Sequence, residues 1–249
     1  NVEFRGNQKD AALEITSSTG FTIESNIFKN GGIDIHNNQF RENSLSIISK
    51  NIITDVNYTI NTSAGIWVRN SPEQLFIYLN TVKDVNGYGI YIEGADTNLD
   101  IASNTVINTK YTDAENIVGI FLSRTSLYGT NARGFLTNTV VGQFHKGILL
   151  KNINSPYPLK DSSVDIKPVD KNADYFAVYA ESSENINLSG MKLTNMDNNH
   201  SNAGVSYGIY TNQTGTLEIT NTDITDFETC VDQDGTLTAT NSTCNGEPL

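Results

Sequence analysis

Short runs of alternating apolar and polar residues recur along the whole chain. One run has glycine first, then an aliphatic residue, a variable residue, a second aliphatic and a polar residue, as in "GIWVR" (65–69), "GIYIE" (89–93) and "GIFLS" (119–123). Period-two alternation of this kind predicts short β-strands, and no stretch carries the wider spacing of an amphipathic helix. We place the first aliphatic residue of the recurring strand at Ile33, Ile66, Ile90, Ile120, Ile148, Phe176, Ile209 and Val231.

A second strand recurs between these runs and ends close to an asparagine. Examples are "FTIESNIF" (21–28) and "LDIASNTV" (99–106). Asparagine tolerates the left-handed backbone of a tight turn, and stacked asparagines can bond to one another as a ladder. In two later repeats, Pro168 and Gly190 stand where the asparagine is expected, which predicts an interruption of the ladder in those repeats. The predicted ladder comprises Asn26, Asn51, Asn80, Asn104, Asn138, Asn221 and Asn241.

The repeating unit is too small to bury a core alone, so neighbouring units must stack. The pattern resembles the right-handed parallel β-helix family, the pectate-lyase-like solenoids, over roughly residues 11–243. The resemblance implies an all-β, right-handed solenoid of about eight coils with 22–33 residues each. We expect one domain over residues 1–249, with a protruding loop near 152–162. Lyases, hydrolases, phage tailspikes, adhesins and structural proteins all share this fold, so it does not specify an activity.

Alternate residues of a strand point to opposite faces, so the variable positions of the recurring run must face outward. They form two rows that cross the strands. The first row is Asp34, Trp67, Tyr91, Phe121, Leu149, Ala177, Tyr210 and Asp232, and the second is His36, Arg69, Glu93, Ser123, Lys151, Tyr179 and Asn212.

Aromatic side chains are unusually frequent in these rows. Trp67, Tyr91 and Phe121 are expected side by side on one exposed sheet, where contiguous aromatic surface usually marks an interaction site. The rings could contact a polysaccharide or a protein partner, stack only for sheet stability, or lie under a loop of the chain. The predicted ligand-binding residues are Asp34, His36, Trp67, Arg69, Tyr91, Glu93, Phe121, Lys151, Tyr179 and Tyr210.

Catalytic residues cannot be assigned from the pattern. The nearest outward carboxylates, Asp34 and Glu93, should lie about 12 Å apart, beyond the separations that glycoside hydrolysis uses. Asp113 or Glu115 could supply a closer carboxylate. Arg69, Lys151 and His36 include the residue types of a lyase site, without a recognisable lyase signature.

Metal ligation has little support in the sequence. The segment "DTNLD" places Asp96, Asn98 and Asp100 like the opening of a calcium loop, but the glycine and closing glutamate of such a loop are missing. The three histidines lie in different repeats and lack zinc spacing. We therefore expect no cofactor.

Charge and cysteine content narrow the setting. With 16 basic and 28 acidic residues the net charge is −12, which argues against nucleic acid and anionic membranes as partners. Cys230 and Cys244 are expected to form a disulfide that staples the C-terminal end, unless they are two unrelated buried thiols. The disulfide would indicate an extracellular or cell-surface location, or a periplasm or virion.

The preferred interpretation is a secreted or surface module, an adhesin or scaffold, that presents an elongated aromatic and polar face to a polysaccharide or a surface protein. The alternatives are a polysaccharide-degrading enzyme, such as a lyase, glycoside hydrolase or tailspike depolymerase, and a purely structural filament or spacer subunit. We expect no membrane insertion, and leave open a homo-oligomer or a larger assembly.

Overall fold

The structure is a computed structural model that describes residues 2–7, 10–18, 20–36, 45–57, 63–70, 74–94, 99–111, 116–124, 134–153, 159–170, 172–197 and 204–249. Every regular secondary-structure element in these ranges is a β-strand, which confirms the predicted all-β class. Within the same ranges, no helix has the length and apolar character needed to cross a membrane.

The strands form three stacked sheets, A, B and C, and every pairing is parallel except the last one in sheet A. Sheet A contains β1 (Glu3–Arg5), β4 (Ile27–Lys29), β7 (Ile52–Val56), β10 (Thr81–Val85), β13 (Thr105–Asn108), β16 (Thr139–Gln143), β19 (Ser163–Lys167), β22 (Lys192–Asn195), β25 (Asp223–Thr225), β28 (Thr243–Cys244) and β29 (Glu247–Pro248). Sheet B contains β2 (Leu13–Thr16), β5 (Ile33–His36), β8 (Ser63–Arg69), β11 (Gly87–Glu93), β14 (Val118–Ser123), β17 (Lys146–Lys151), β20 (Tyr175–Glu181), β23 (Ser206–Asn212) and β26 (Thr229–Asp232). Sheet C contains β3 (Thr22–Glu24), β6 (Leu45–Ser49), β9 (Gln74–Tyr78), β12 (Leu99–Ala102), β15 (Phe135–Leu136), β18 (Leu159–Lys160), β21 (Asn185–Ser189), β24 (Thr216–Thr220) and β27 (Thr236–Thr240).

The interior is a stack of aliphatic side chains that crosses the strands of sheet B. Ile90 pairs with Ile66 on one side and Ile120 on the other, and it is fully buried. Val178 continues the stack between Ile148 and Ile209. Burial confirms the predicted interior positions, which are Ile33, Ile66, Ile90, Ile120, Ile148 and Ile209.

Close packing where the chain enters sheet B excludes a side chain at Gly89. A Cβ atom on Gly89 would lie 2.3 Å from Cγ1 of Val106 and 2.5 Å from the carbonyl oxygen of Gly119. Alanine takes the equivalent place in β20, where Ala177 is fully buried. The predicted alignment of Phe176 with the interior isoleucines is therefore wrong by two residues, since the equivalent residue is Val178.

Asparagine side chains stack at the turn from sheet C to sheet A. The Nδ2 atom of Asn80 donates to Oδ1 of Asn104 at 3.0 Å and to the carbonyl oxygen of Ile48 at 2.9 Å. Asn51 and Asn104 make the same two kinds of bond, so the predicted ladder is present from Asn51 to Asn138. The left-handed residue is the one before each of these asparagines, such as Leu79 with φ 57°, which corrects the predicted backbone role of the asparagine itself.

Hydroxyl groups replace the amides in later coils. Ser162 follows Asn138 and accepts a hydrogen bond from its backbone N–H, so Pro168 does not lie at this turn as predicted, but after β19. In the next coil, Gly190 lies one residue before the ladder place, at the left-handed position. The buried Met191 takes the ladder place, so the ladder is interrupted in this coil as predicted, although by a different residue. Asn221 and Asn241 are left-handed residues too, and Thr222 and Ser242 take the ladder places.

The C-terminal end is held by a disulfide and a reversed strand. Cys230 and Cys244 are bonded to each other, as predicted, with Cα atoms 5.8 Å apart. β29 pairs with β28 in the antiparallel direction at the edge of sheet A. Of the predicted protruding loop, residues 154–158 lie outside the described residues.

Candidate functional site

The outer face of sheet B brings the predicted rows together with one correction. Asp34, Trp67, Tyr91, Phe121 and Leu149 are aligned across successive strands. In β20, however, Tyr179 continues this first row, while Ala177 lies in the interior. The second row continues through Glu181, which lies between Lys151 and Asn212. The prediction of Tyr179 in this row is wrong by two residues.

One aromatic cluster lies toward the N-terminal part of this face, and we call it the Trp67 cluster: Trp67, Tyr88, Tyr91 and Phe121. The ring of Tyr91 lies 5.6 Å from that of Trp67 and 4.7 Å from that of Phe121, both edge to face. Tyr88 stacks on Phe121 at 5.5 Å, and Phe121 is only 7% exposed. The prediction of three exposed rings is therefore wrong for Phe121, while Trp67 and Tyr91 are half-buried.

A second aromatic cluster lies farther along the same face and consists of Phe176, Tyr179, Tyr207 and Tyr210, the Phe176 cluster. Phe176 stacks on Tyr207 at 5.0 Å, and Tyr179 stacks on Tyr210 at 5.1 Å. The sequence predicted Tyr179 and Tyr210 on this face, but it placed Phe176 in the interior and left Tyr207 unassigned. The position directly before the recurring glycine, or before the alanine that replaces it, also faces outward. Tyr88, Phe176 and Tyr207 all occupy that position, so it could have identified these three rings.

Charged side chains next to Trp67 bind one another. Nη2 of Arg69 donates to both carboxylate oxygens of Asp34, at 2.9 and 3.2 Å. The guanidinium carbon of Arg69 lies 3.9 Å from the centre of the Trp67 ring. His36 Nδ1 lies 3.3 Å from Asp34 Oδ1, and its Nε2 lies 3.5 Å from a carboxylate oxygen of Glu14. These predicted ligand-binding residues thus already form a network that joins three strands.

A cavity of about 440 Å³ lies between the two aromatic clusters. Tyr91, Phe121, Leu149 and Tyr179 from the first row contribute to its lining. Polar and charged residues complete it: Glu93, Asn116, Ser123, Arg124, Lys146, Lys151, Asn152 and Glu181, together with Tyr88.

Hydrogen bonds orient the polar groups of this cavity. The hydroxyl of Tyr91 donates to Oε2 of Glu93 at 3.1 Å. Burial and the neighbouring carboxylate raise the pKa of Tyr91, so its hydroxyl stays protonated and acts as a donor. Nζ of Lys151 donates to both carboxylate oxygens of Glu181 at 3.1 Å.

Lys146 is a half-buried cation of the cavity. Its Nζ lies 5.2 Å from the ring centre of Tyr179 and 5.8 Å from that of Phe176. Burial lowers the pKa of Lys146, and the Glu181 carboxylate opposes that shift. Sequence reasoning missed Lys146 because it lies before the glycine, outside the two predicted rows.

The remaining candidate chemistry is not assembled in the described part of the chain. Asp96 and Asn98 of the weak calcium pattern lie outside the described residues, and Asp100 accepts a hydrogen bond from the backbone N–H of Gly134 at 2.7 Å. Asp113 and Glu115 also lie outside them. Where the structure describes side chains, no group of three or more His, Cys, Asp or Glu residues is arranged to hold a metal ion.

Comparison with known proteins agrees with this architecture. The model of the family described as a right-handed β-helix region matches residues 1–164. No curated protein and no solved structure matches the chain. The matched part includes the asparagine ladder and the Trp67 cluster, and it ends before β20 and the Phe176 cluster begin.

Proposed function

The chain belongs to the right-handed β-helix family, and we propose that it is a binding module for an extended polysaccharide. The ligand lies on the outer face of sheet B, in the cavity between the two aromatic clusters. The module acts outside the cell or on a cell surface, as an adhesin or scaffold.

The observation that carries this proposal is the composition of the cavity. Its lining combines aromatic rings with hydroxyl, amide and charged groups. Binding sites for small organic ligands share this pattern, in which apolar surface supplies affinity and a few polar groups set orientation. Tyrosine suits a sugar because its ring packs against C–H groups while its hydroxyl donates and accepts hydrogen bonds.

The carboxylates that line the cavity favour binding over hydrolysis. Glu93 and Glu181 lie three strands apart in the second row, about 14 Å at the usual strand spacing. Inverting and retaining glycosidases need separations below about 9.5 Å. Lys151 additionally holds Glu181 in an ion pair.

The disulfide supports an oxidising setting for this module. Disulfides persist in secreted and surface proteins and are rare where thiols are kept reduced. The bond between Cys230 and Cys244 is therefore consistent with an extracellular location.

Replacement of Tyr91 tests the proposal. We expect Tyr91→Ala to weaken binding to the best ligand of a panel of acidic and neutral polysaccharides by about 1 kcal/mol or more, roughly fivefold, because the ring lines the cavity. Affinity electrophoresis or calorimetry measures the effect. The matched control is Tyr78→Ala, since Tyr78 is a half-buried tyrosine on sheet C.

Three results would contradict the proposal. The intact protein binds no polysaccharide of the panel, or Tyr78→Ala weakens binding as much as Tyr91→Ala does. The third result is the appearance of shortened chains or unsaturated products during the same incubations, which would identify an enzyme. A loss of self-association or of protein binding in Tyr91→Ala would indicate a protein partner at this face.

A further inference from the structure

We propose that Lys146 determines the specificity of this cavity by pairing with an anionic group of the glycan, a carboxylate or a sulfate. The inference rests on the proposed function and deepens it by naming the charge of the ligand. It assigns to one residue the discrimination between acidic and neutral chains.

The distribution of charge is the first observation. The whole chain has a net charge of −12, and such a field repels an anionic ligand. Of the residues that line the cavity, Arg124, Lys146 and Lys151 are cationic, and Glu93 and Glu181 are anionic. The lining of the cavity therefore carries a net charge of +1, although the chain as a whole is acidic.

The second observation is that the other two cations already have carboxylate partners. Lys151 makes two hydrogen bonds to Glu181 at 3.1 Å. Arg124 lies 3.9 Å from Glu93. Lys146 takes part in none of the ion pairs formed among the described residues.

The third observation is the position of the Lys146 ammonium group. It lies near the ring centres of Tyr179 and Phe176 and lines the cavity from the side of the Phe176 cluster. The rings attract the cation, but they cannot accept its hydrogen bonds as an anion can. Partial burial strengthens any ion pair formed there relative to one at the open surface.

Two pairs of matched polysaccharides test the inference. The probes are alginate with its carboxyl-reduced form, and dextran sulfate with dextran, so that each pair differs in charge. We expect Lys146→Met to lower the affinity for an anionic probe about tenfold, which corresponds to about 1.4 kcal/mol, and to change the affinity for neutral probes less than twofold. Loss for alginate alone assigns a carboxylate, and loss for dextran sulfate alone assigns a sulfate.

Controls separate charge from shape and from general attraction to polyanions. Lys146→Arg keeps the charge and should retain most of the affinity, whereas Lys192→Met removes an exposed lysine from sheet A and should change nothing. Equal losses for anionic and neutral probes in Lys146→Met, or a loss in Lys146→Arg as large as in Lys146→Met, would overturn the inference and leave the polysaccharide site standing. Binding of only the neutral probes by the intact protein would also overturn the inference and leave the polysaccharide site standing.

A second readout locates the bound ligand at Lys146 instead of measuring overall affinity. Amine labelling followed by peptide mass spectrometry reports the accessibility of Lys146 directly. Alginate oligosaccharides should protect Lys146 from labelling more strongly than their carboxyl-reduced forms do, while Lys192 is labelled equally in both. Equal labelling of Lys146 with and without the acidic oligosaccharide would contradict its role.

Discussion

The two parts of the solenoid stabilise the same turn with different side chains. Between β6 and β16, buried asparagines occupy the turn from sheet C to sheet A, and the carboxamides of Asn51, Asn80 and Asn104 reach the coils on both sides. At Ser162, a hydroxyl group accepts a hydrogen bond from the preceding coil and donates to a carbonyl of its own coil, while the apolar Met191 occupies the same place in the next coil. Thr222 and Ser242 repeat this arrangement.

This difference shows that the backbone path does not depend on the ladder residue. Leu79, Asp161, Gly190 and Asn221 all adopt positive φ at this turn, with values of 57°, 47°, 65° and 49°, in both parts of the chain. An amide joins three coils and a hydroxyl joins two, so the asparagine part should resist local opening more strongly. The family match, which covers residues 1–164, ends where the hydroxyl part begins.

The largest expected effect compares one residue from each part. Asn104→Ala removes the acceptor for the backbone N–H of Asn80 and the donor for the carbonyl of Ile77. Each buried group left without a partner costs about 1–3 kcal/mol, so we expect the free energy of unfolding to fall by about 4 kcal/mol. Ser162→Ala should cost about 1 kcal/mol. Urea unfolding of both variants measures the difference, and equal losses would refute the distinction between the two ladders.

Removal of the disulfide should destabilise the hydroxyl part selectively. Closing a loop of about 15 residues contributes about 3 kcal/mol in the chain-entropy model. We expect the double change Cys230→Ala and Cys244→Ala to lower stability by about that amount and to speed amide hydrogen exchange in β23 through β28. Exchange in β7 through β13 is the internal control. Acceleration there to the same degree would mean that the two parts open together.

The smallest effect concerns pH, because neither amides nor hydroxyls of the ladders titrate in the ordinary range. His145 lies between the two parts, and its Nδ1 accepts a hydrogen bond from the backbone N–H of Ile117 at 3.1 Å. Burial lowers the pKa of His145 below its usual 6.5, so the unfolded chain binds the proton more readily. The contribution of His145 to stability is therefore complete above about pH 6.5 and declines as the pH falls toward its folded value.

Urea unfolding between pH 7 and pH 5 checks this sign. His145→Gln should flatten the pH dependence over that interval, because glutamine does not titrate there. A slope that is unchanged in His145→Gln would assign the pH dependence to other groups.

Much of the fold was predictable because it rests on local periodicity. The alternation in "GIYIE" was sufficient to place Ile90 inside and Tyr91 outside. In sheet B the predicted alignment fails at β20, where Ala177 replaces glycine and removes the marker of the register. The site was predicted less completely. Tyr88, Lys146 and Tyr207 precede that marker and were not assigned to a face, and Phe176 was assigned to the interior.

Local signals in the sequence were enough to predict the strand class, the interior positions outside β20, and a bond between Cys230 and Cys244 as the preferred state of the two cysteines. These features follow from side-chain alternation and from a short separation along the chain, both of which are local. Packing between coils covers Phe121 with its neighbours, brings hydroxyls to the ladder place at Ser162, Thr222 and Ser242, and sets Lys146 against the Phe176 cluster. Those contacts join residues from different coils. Because the coils differ in length, spacing along the sequence does not show which residues of neighbouring coils lie side by side.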